Sequence, residues 1–269
     1  MRGTDTARGI IPAVPVDVER YERDGFDRID GFADPAVGEH MLADVVAVAR
    51  RAAAGEDVRP VLPLPEAQPD FSGENPEDLL SKVFRLHQRP VFREFLETEA
   101  VQGIVTGLLG PDVDCFLSQF IFKNPGAWGQ PWHQDSVYFP FEPARPIVGL
   151  WLAVTSATLD NGCLHVLPGS NHEPVHEHIP ERRPHANYGY IEIIDHEMDG
   201  AVPVLMQPGD LLVFDSHLMH RSTDNTSDGI RAAMVFHCCV AGTTERVTSA
   251  TRSIVQDFQP LYRSGAVAS

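Results

Sequence analysis

The hydrophobic period changes near residue 110, and that change limits the chain to a helical flank followed by a β-rich core. From Val113 to Lys123, Phe116, Phe120 and Phe122 alternate with Leu117, Gln119, Ile121 and Lys123, which is the two-residue repeat of a strand. Further strand candidates are 132–139, 147–154, 164–167, 202–206, Leu211–Asp215 and Arg231–Val240. The breaks at Asp160-Asn161-Gly162, Pro208-Gly209-Asp210 and 224–229 are rich in residues that tolerate tight turns. Upstream, Asp34 as N-cap and Pro35 at the first turn predict a helix whose one face carries Val37, Met41, Val45, Val48 and Ala52, ending near Gly55. Pro60, Pro63, Pro65 and Pro69 argue against regular structure in 58–70, leaving a lid or a connector. A second helix is predicted from Asn75-Pro76 through Leu79, Leu80, Val83 and Leu86, and a third from Pro90 through Phe95, Ile104 and Leu108 to Gly110.

With 269 residues and 43% hydrophobic content, one undivided domain is expected. Residues 1–16 read as a loose arm, 17–110 as a helical flank, 111–242 as the core and 243–269 as a C-terminal segment. Helices followed by about eight strands, with no internal repeat, predict a mainly β or α+β fold, an α-decorated jelly roll or barrel. The 21 Lys and Arg against 38 Asp and Glu give a net charge of -17, which disfavours a nucleic-acid partner, since a phosphate backbone needs a basic footprint. No apolar leader opens the chain and no stretch is long enough to cross a bilayer, so a soluble cytoplasmic protein without a membrane partner is expected. Cys115, Cys163, Cys238 and Cys239 lack zinc or disulfide spacing and read as buried thiols within predicted strands.

The sharpest chemical signal is Trp132-His133-Gln134-Asp135, because residues i and i+2 of a strand share a face and can grip one ion. An imidazole and a carboxylate suit a divalent first-row metal, and a second histidine would complete a set that leaves coordination positions open. The run His217-Leu218-Met219-His220-Arg221-Ser222 offers two histidines for that role, three residues apart, so that they face opposite ways on a strand. A turn over 224–229 then returns the chain, and Arg231 on the next strand offers a rigid two-pronged donor for a carboxylate. A His-x-Asp pair alone, or an arginine alone, is most simply a surface pair; the combination points to a metal with an acidic cosubstrate. Trp151 sits in an apolar strand, where core packing is an equal reading. The histidines at 165, 172, 176, 178, 185 and 196 show no ligand pattern and are expected to be solvated loop residues.

The segments HQDSVYFPF, GLWLAV, ATLDNGCLHVLPGSN, QPGDLLVF and HRSTDNTSDGIR resemble successive blocks of the phytanoyl-CoA dioxygenase family, across 130–240. A fainter similarity covers 21–32, Ser81-Lys82-Val83 and Phe122-Lys123-Asn124-Pro125-Gly126. The resemblance implies a double-stranded β-helix (jelly-roll, cupin-like) core with N-terminal flanking helices, and a non-haem dioxygenase that uses Fe(II), 2-oxoglutarate and O2. It implies iron ligation by His133, Asp135 and His220, and 2-oxoglutarate contacts from Lys82, Gln119, Trp151, Ser222 and Arg231. A methionine often found where Gln119 stands is absent. The family places an arginine eleven positions after its second histidine, and 231 - 220 = 11 selects His220 over His217. Asp135 occupies the position that related halogenating oxygenases leave to a small residue, which implies hydroxylation. The expected activity is therefore hydroxylation of a C–H bond in a small-molecule substrate. Two other readings keep the fold: a cupin-like protein that uses its metal without redox chemistry, and a non-catalytic member that binds a partner.

Overall fold

The computed structural model describes residues 16–68, 71–139, 141–142, 146–184, 189–245 and 255–265. Most of the arm expected over 1–16, along with Pro69, His185 and parts of the C-terminal segment, therefore lies outside the described residues; Val16 is buried. In chain order the helices are α1 (Val18–Asp24), α2 (Pro35–Ala53), α3 (Pro90–Leu96) and α4 (Glu99–Leu109). The strands are β1 (Phe26–Ile29), β2 (Leu62–Pro65), β3 (Leu80–Phe84), β4 (Val113–Lys123), β5 (Phe141–Glu142), β6 (Ile147–Ala153), β7 (Leu164–Val166), β8 (His178–Pro180), β9 (Ile191–Ile193), β10 (Val202–Val204), β11 (Leu211–Asp215), β12 (His220–Ser222), β13 (Arg231–Val240), β14 (Thr244–Glu245) and β15 (Gln259–Tyr262).

A large antiparallel sheet runs β1-β11-β6-β13-β4-β3-β2, with β15 also on β4, and a small sheet runs β10-β7-β12. Together they form a jelly-roll core. Strict alternation decides what each face of the large sheet does. Met234 and Phe236 of β13, Leu150 and Leu152 of β6, and Leu211 and Val213 of β11 point to the helices. There they meet Met41, Val45 and Val48 of α2, whose burial stabilises by roughly 1.5–3 kcal/mol per side chain. The opposite parity, including Trp151, Ala233, Val235, Leu212 and Phe214, faces the small sheet. The face that receives the site is thus set by the two-residue period of the strands themselves.

One extra residue breaks this period in β4. Its pairing with β13 shifts between His237↔Leu117 and Cys238↔Cys115, and Phe116 is the residue left over. Phe116 therefore leaves the side of Phe120 and Phe122 and stacks among Phe139, Phe141 and Phe258.

Several sequence-based expectations change. The proline-rich stretch contains a strand after all: β2 is an edge strand on β3, where a missing N–H is tolerated. The helix expected over 75–86 is a 3-10 turn at Pro76–Leu79 followed by β3, because Lys82, Val83 and Phe84 pair with β4 and tertiary pairing overrides the helical spacing. The third expected helix divides into α3 and α4, with Thr98 capping the second through a bond to Val101 N. The flank expected to be helical also gives β1, β2 and β3 to the large sheet. The strand expected over 132–139 is a single bridge at His133 and then a 3-10 turn, Asp135–Val137. All four cysteines are free and buried, but Cys163 precedes β7 rather than lying within it.

Candidate metal centre

β12 and the segment before Asp135 place the first two candidate ligands side by side. His133 N donates to His220 O at 2.9 Å and His220 N to His133 O at 3.0 Å, and their ring centroids stand 4.1 Å apart. The 3-10 turn then folds Asp135 back, its Oδ1 3.4 Å from His133 Nε2 and 3.9 Å from His220 Nε2. A continuous strand would hold side chains i and i+2 about 6.6 Å apart along the chain, so the turn tightens the pair beyond what i and i+2 spacing supplies. All three residues are buried, with one ligand atom from each within 4.8 Å of the others.

The imidazoles are prepared as ligands by their other nitrogens. His133 Nδ1 donates to Pro131 O at 2.8 Å and His220 Nδ1 to Leu218 O at 2.9 Å, which leaves each Nε2 with its lone pair. Gln130 Nε2 donates to the His133 lone pair at 2.9 Å, a contact that a bound ion would replace. Burial, and then the neighbouring His133, push His220 down to about 4, so its ring is neutral at ordinary pH. Burial opposes ionisation of Asp135, but its close contacts with the His133 and His237 imidazoles outweigh it and hold the carboxyl well below the usual range. His237 Nε2 lies 2.8 Å from Asp135 Oδ2 and fixes the carboxylate from behind. Two imidazoles and one carboxylate are a donor set that fits a divalent first-row ion such as Fe(II).

A cavity of about 370 Å³ joins this triad to the predicted cosubstrate residues. Arg231 has 1% exposure, and its Nη2 donates to Gly162 O at 3.0 Å, yet Nε and Nη1 have no hydrogen-bond partner among the described residues. Burial lowers its guanidinium to about 10, so the group stays charged at neutral pH. A buried cation with unmatched donors costs several kcal/mol unless an anion completes it. The indole Nε1 of Trp151 is likewise buried without a hydrogen-bond partner among the described residues, and the Arg231 guanidinium carbon sits 5.5 Å from the Trp151 ring centroid. Ser222 Oγ accepts from Lys123 Nζ at 2.8 Å and from Gln130 N at 3.0 Å. Lys82 and Gln119 line the same cavity; Lys82 Nζ reaches Gln130 Oε1 at 3.5 Å and lies 4.8 Å from the Tyr190 ring centroid. His217 stands apart from the triad, its Nδ1 3.3 Å from Glu173 O.

Two residues of the site went unread in the sequence. Lys123 pairs with Arg231 across the sheet, is buried, and is held well below the usual lysine range by burial and then by the like charge of Arg231. Its place on the Gln119, Ile121, Lys123 face was visible in the strand pattern. His237 lies six residues after Arg231 and therefore on the same strand face, a parity that could have found it. The outer histidines also differ from expectation: His176 and His196 pack with Glu173 instead of standing solvated.

Residues 21–233 match the phytanoyl-CoA dioxygenase (PhyH) family. Phytanoyl-CoA dioxygenase domain-containing protein 1 of Danio rerio is 30% identical over 168 residues, which cover 60% of this chain and 57% of that protein. The peroxisomal phytanoyl-CoA dioxygenase of Bos taurus is 31% identical over 167 residues, covering 60% of this chain and 50% of that protein. The chain thus spans between half and three fifths of the length of these curated relatives. Among solved structures, the non-heme monooxygenase ThoJ in its apo form superposes with a TM-score of 0.68 at 20% identity, covering 91% of this chain and 83% of that one. The non-heme alpha ketoglutarate dependent carbocyclase SnoK superposes with a TM-score of 0.64 at 19% identity, covering 87% and 86%. At these identities the structural likeness shows the fold, and the match across residues 21–233 shows the family. The chain belongs to the phytanoyl-CoA dioxygenase family.

Proposed function

We propose that this protein is an Fe(II)- and 2-oxoglutarate-dependent dioxygenase that hydroxylates an unactivated C–H bond of a small metabolite. The observation that carries the reading is the Arg231 guanidinium, buried with two unmatched nitrogens in the same cavity as the His133, Asp135, His220 triad. His133, Asp135 and His220 would hold the iron. When bound, Fe(II) with 2-oxoglutarate and O2 supplies the oxidation: one oxygen atom enters succinate as CO2 leaves, and the other enters the substrate as a hydroxyl group.

The chain's own residues then bind, orient and exclude water. Arg231 and the Ser222 hydroxyl receive the distant carboxylate of the cosubstrate, and Trp151 Nε1 adds a donor beside them. Lys82 and Gln119 complete that wall, and Lys123 holds the Ser222 hydroxyl in place. His237 keeps the Asp135 carboxylate aimed at the metal position. Leu64, Phe84, Leu117 and Phe139 line the cavity with apolar surface that keeps water from the reacting carbon.

The substrate we infer is a free carboxylic acid, an amino acid or a secondary metabolite rather than a CoA thioester. The cavity lies near the lower end of the roughly 300–1,000 Å³ usual for small-molecule sites. In the neighbouring groove, which Arg182, Arg183 and Arg221 line, Arg182 is neutralised by Glu192, and Arg183 by Glu181 and Asp224. That pairing leaves Arg221, 5.2 Å from the Trp132 ring centroid and without a carboxylate partner among the described residues, as the groove's one unneutralised arginine, little charge for a coenzyme's several phosphates. Four free buried thiols support a reducing, cytoplasmic setting, and no helix among the described residues is long and apolar enough to cross a membrane. The test is succinate release under air with Fe(II), ascorbate and 2-oxoglutarate over paired free acids and their acyl-CoA esters. Turnover stimulated by a free acid is expected; turnover that requires the thioester overturns the substrate reading.

A further inference from the structure

A second set of two histidines and one carboxylate lies outside the cavity. β8 and β9 pair with His178 opposite Ile193, so the segment entering β8 and the segment leaving β9 meet at one end of the hairpin. There, His176 Nε2 is 2.9 Å and His196 Nε2 3.2 Å from the same atom, Glu173 Oε2. The two rings stand nearly perpendicular, at 83°, with centroids 5.1 Å apart. One ligand atom from each of the three residues lies within 4.8 Å of the others. Four-coordinate zinc, with bonds of about 2.0–2.1 Å, sets neighbouring ligand atoms roughly 3.3 Å apart, close to the 2.9 and 3.2 Å at which the two imidazoles meet Glu173 Oε2.

The surroundings add the support a metal ligand needs. His176 Nδ1 faces Asp195 Oδ1 at 3.3 Å, the carboxylate behind an imidazole that fixes its tautomer and raises its basicity. His196 Nδ1 is buried without a hydrogen-bond partner among the described residues. The backbone of the cluster is tied to the first site through Gln134, the buried residue between His133 and Asp135. Gln134 Oε1 accepts from His176 N at 2.8 Å, while its Nε2 donates to Pro174 O at 3.1 Å and to His217 O at 2.9 Å. Gln134 N in turn donates to His178 Nε2 at 3.1 Å.

We propose that Glu173, His176 and His196 form a second site for a zinc-class divalent ion, with Asp195 orienting His176, and that the ion ties the segment before β8 to the segment after β9, next to Gln134 and the bridge at His133. The site is independent of the oxygenase reading, because it shares no ligand with the triad. The test uses full-length, chelator-stripped protein carrying His133→Ala and His220→Ala, so that binding at the first site is removed. Titration with Zn2+ should give one equivalent and a higher melting temperature, and Co2+ should give the visible absorption of a four-coordinate ion. Adding Asp195→Ala should weaken Zn2+ by about 10–100-fold. Glu173→Gln, which keeps a side-chain oxygen beside both rings and guards against misfolding, should weaken it at least as much. No Zn2+ binding below 1 mM in the starting variant, or affinity unchanged by Glu173→Gln and by His176→Ala with His196→Ala, would overturn the proposal.

Discussion

Arg231 is costly to bury unless something anionic meets it, and that cost gives the cosubstrate assignment its sharpest prediction. A charge-assisted carboxylate contact is worth roughly 1.5–3 kcal/mol, so Arg231→Ala should raise the KM for 2-oxoglutarate by about tenfold or more. Metal affinity should change far less, and Arg231→Lys should recover only part of the loss, because an ammonium cannot make the planar two-pronged contact. An unchanged KM in Arg231→Ala would make the arginine a structural residue. Asp135 gives a second test, since as a ligand it would offset metal charge, and it lies 2.8 Å from His237. Asp135→Ala should weaken iron binding and nearly abolish oxidation without turning the protein into a halogenase. Product analysis with excess chloride checks this; native-level hydroxylation by the variant would remove Asp135 from the ligand set. At this scale the sequence held the triad, Arg231 and Ser222, because each lies in a short contiguous motif. It did not hold Lys123 and His237, whose roles come from strand neighbours more than a hundred residues away in sequence, or from pairing across the sheet.

Among the elements, the turn before β7 shows how backbone geometry builds the Arg231 end of the cavity. Gly162 has φ +84°, and a Cβ there would come within 2.4 Å of Thr223 O and 2.7 Å of Lys123 Cδ. Its carbonyl is also the partner of Arg231 Nη2. Gly162→Ala should therefore cost about 1–3 kcal/mol, lower the melting temperature by several degrees and raise the KM for 2-oxoglutarate. Gly126 has nearly the same φ, +81°, with nothing within 4 Å, so Gly126→Ala should show a smaller drop and an unchanged KM. Equal effects of the two substitutions would contradict the crowding argument. The bounds of β4, β11 and β13 were legible to the residue, because apolar runs closed by turn residues leave little ambiguity, whereas the face of Phe116 was not, since the extra residue in β4 shows only in its pairing with β13. β3 was misread as helix, since Leu79, Leu80, Val83 and Leu86 fit a helical face and only pairing with β4 decides otherwise. The turn at Asp135–Val137 was misread as strand, because polar side chains there bond to distant segments rather than to a strand partner: Gln134 Nε2 to Pro174 O and Ser136 Oγ to Ser216 Oγ.

At the scale of the whole molecule, the layers explain why one cavity can collect groups from β3, β4, β6, β12 and β13. The helices cover one face of the large sheet, so polar residues of the opposite parity converge between the two sheets. A net charge of -17 does not forbid this basic pocket, because Arg231 and Lys123 are buried away from the acidic exterior. The central claim is that the triad holds Fe(II) and that 2-oxoglutarate chelates it while Arg231 secures its far end. Anaerobic titration of the Fe(II)-loaded protein with 2-oxoglutarate tests this most directly, through the visible charge-transfer absorption of a 2-oxo acid chelated to ferrous iron. The band should saturate at one equivalent in the wild type, need at least about tenfold more cosubstrate in Arg231→Ala, and vanish in Asp135→Ala. An iron-loaded wild type that shows no band at millimolar 2-oxoglutarate would contradict the account.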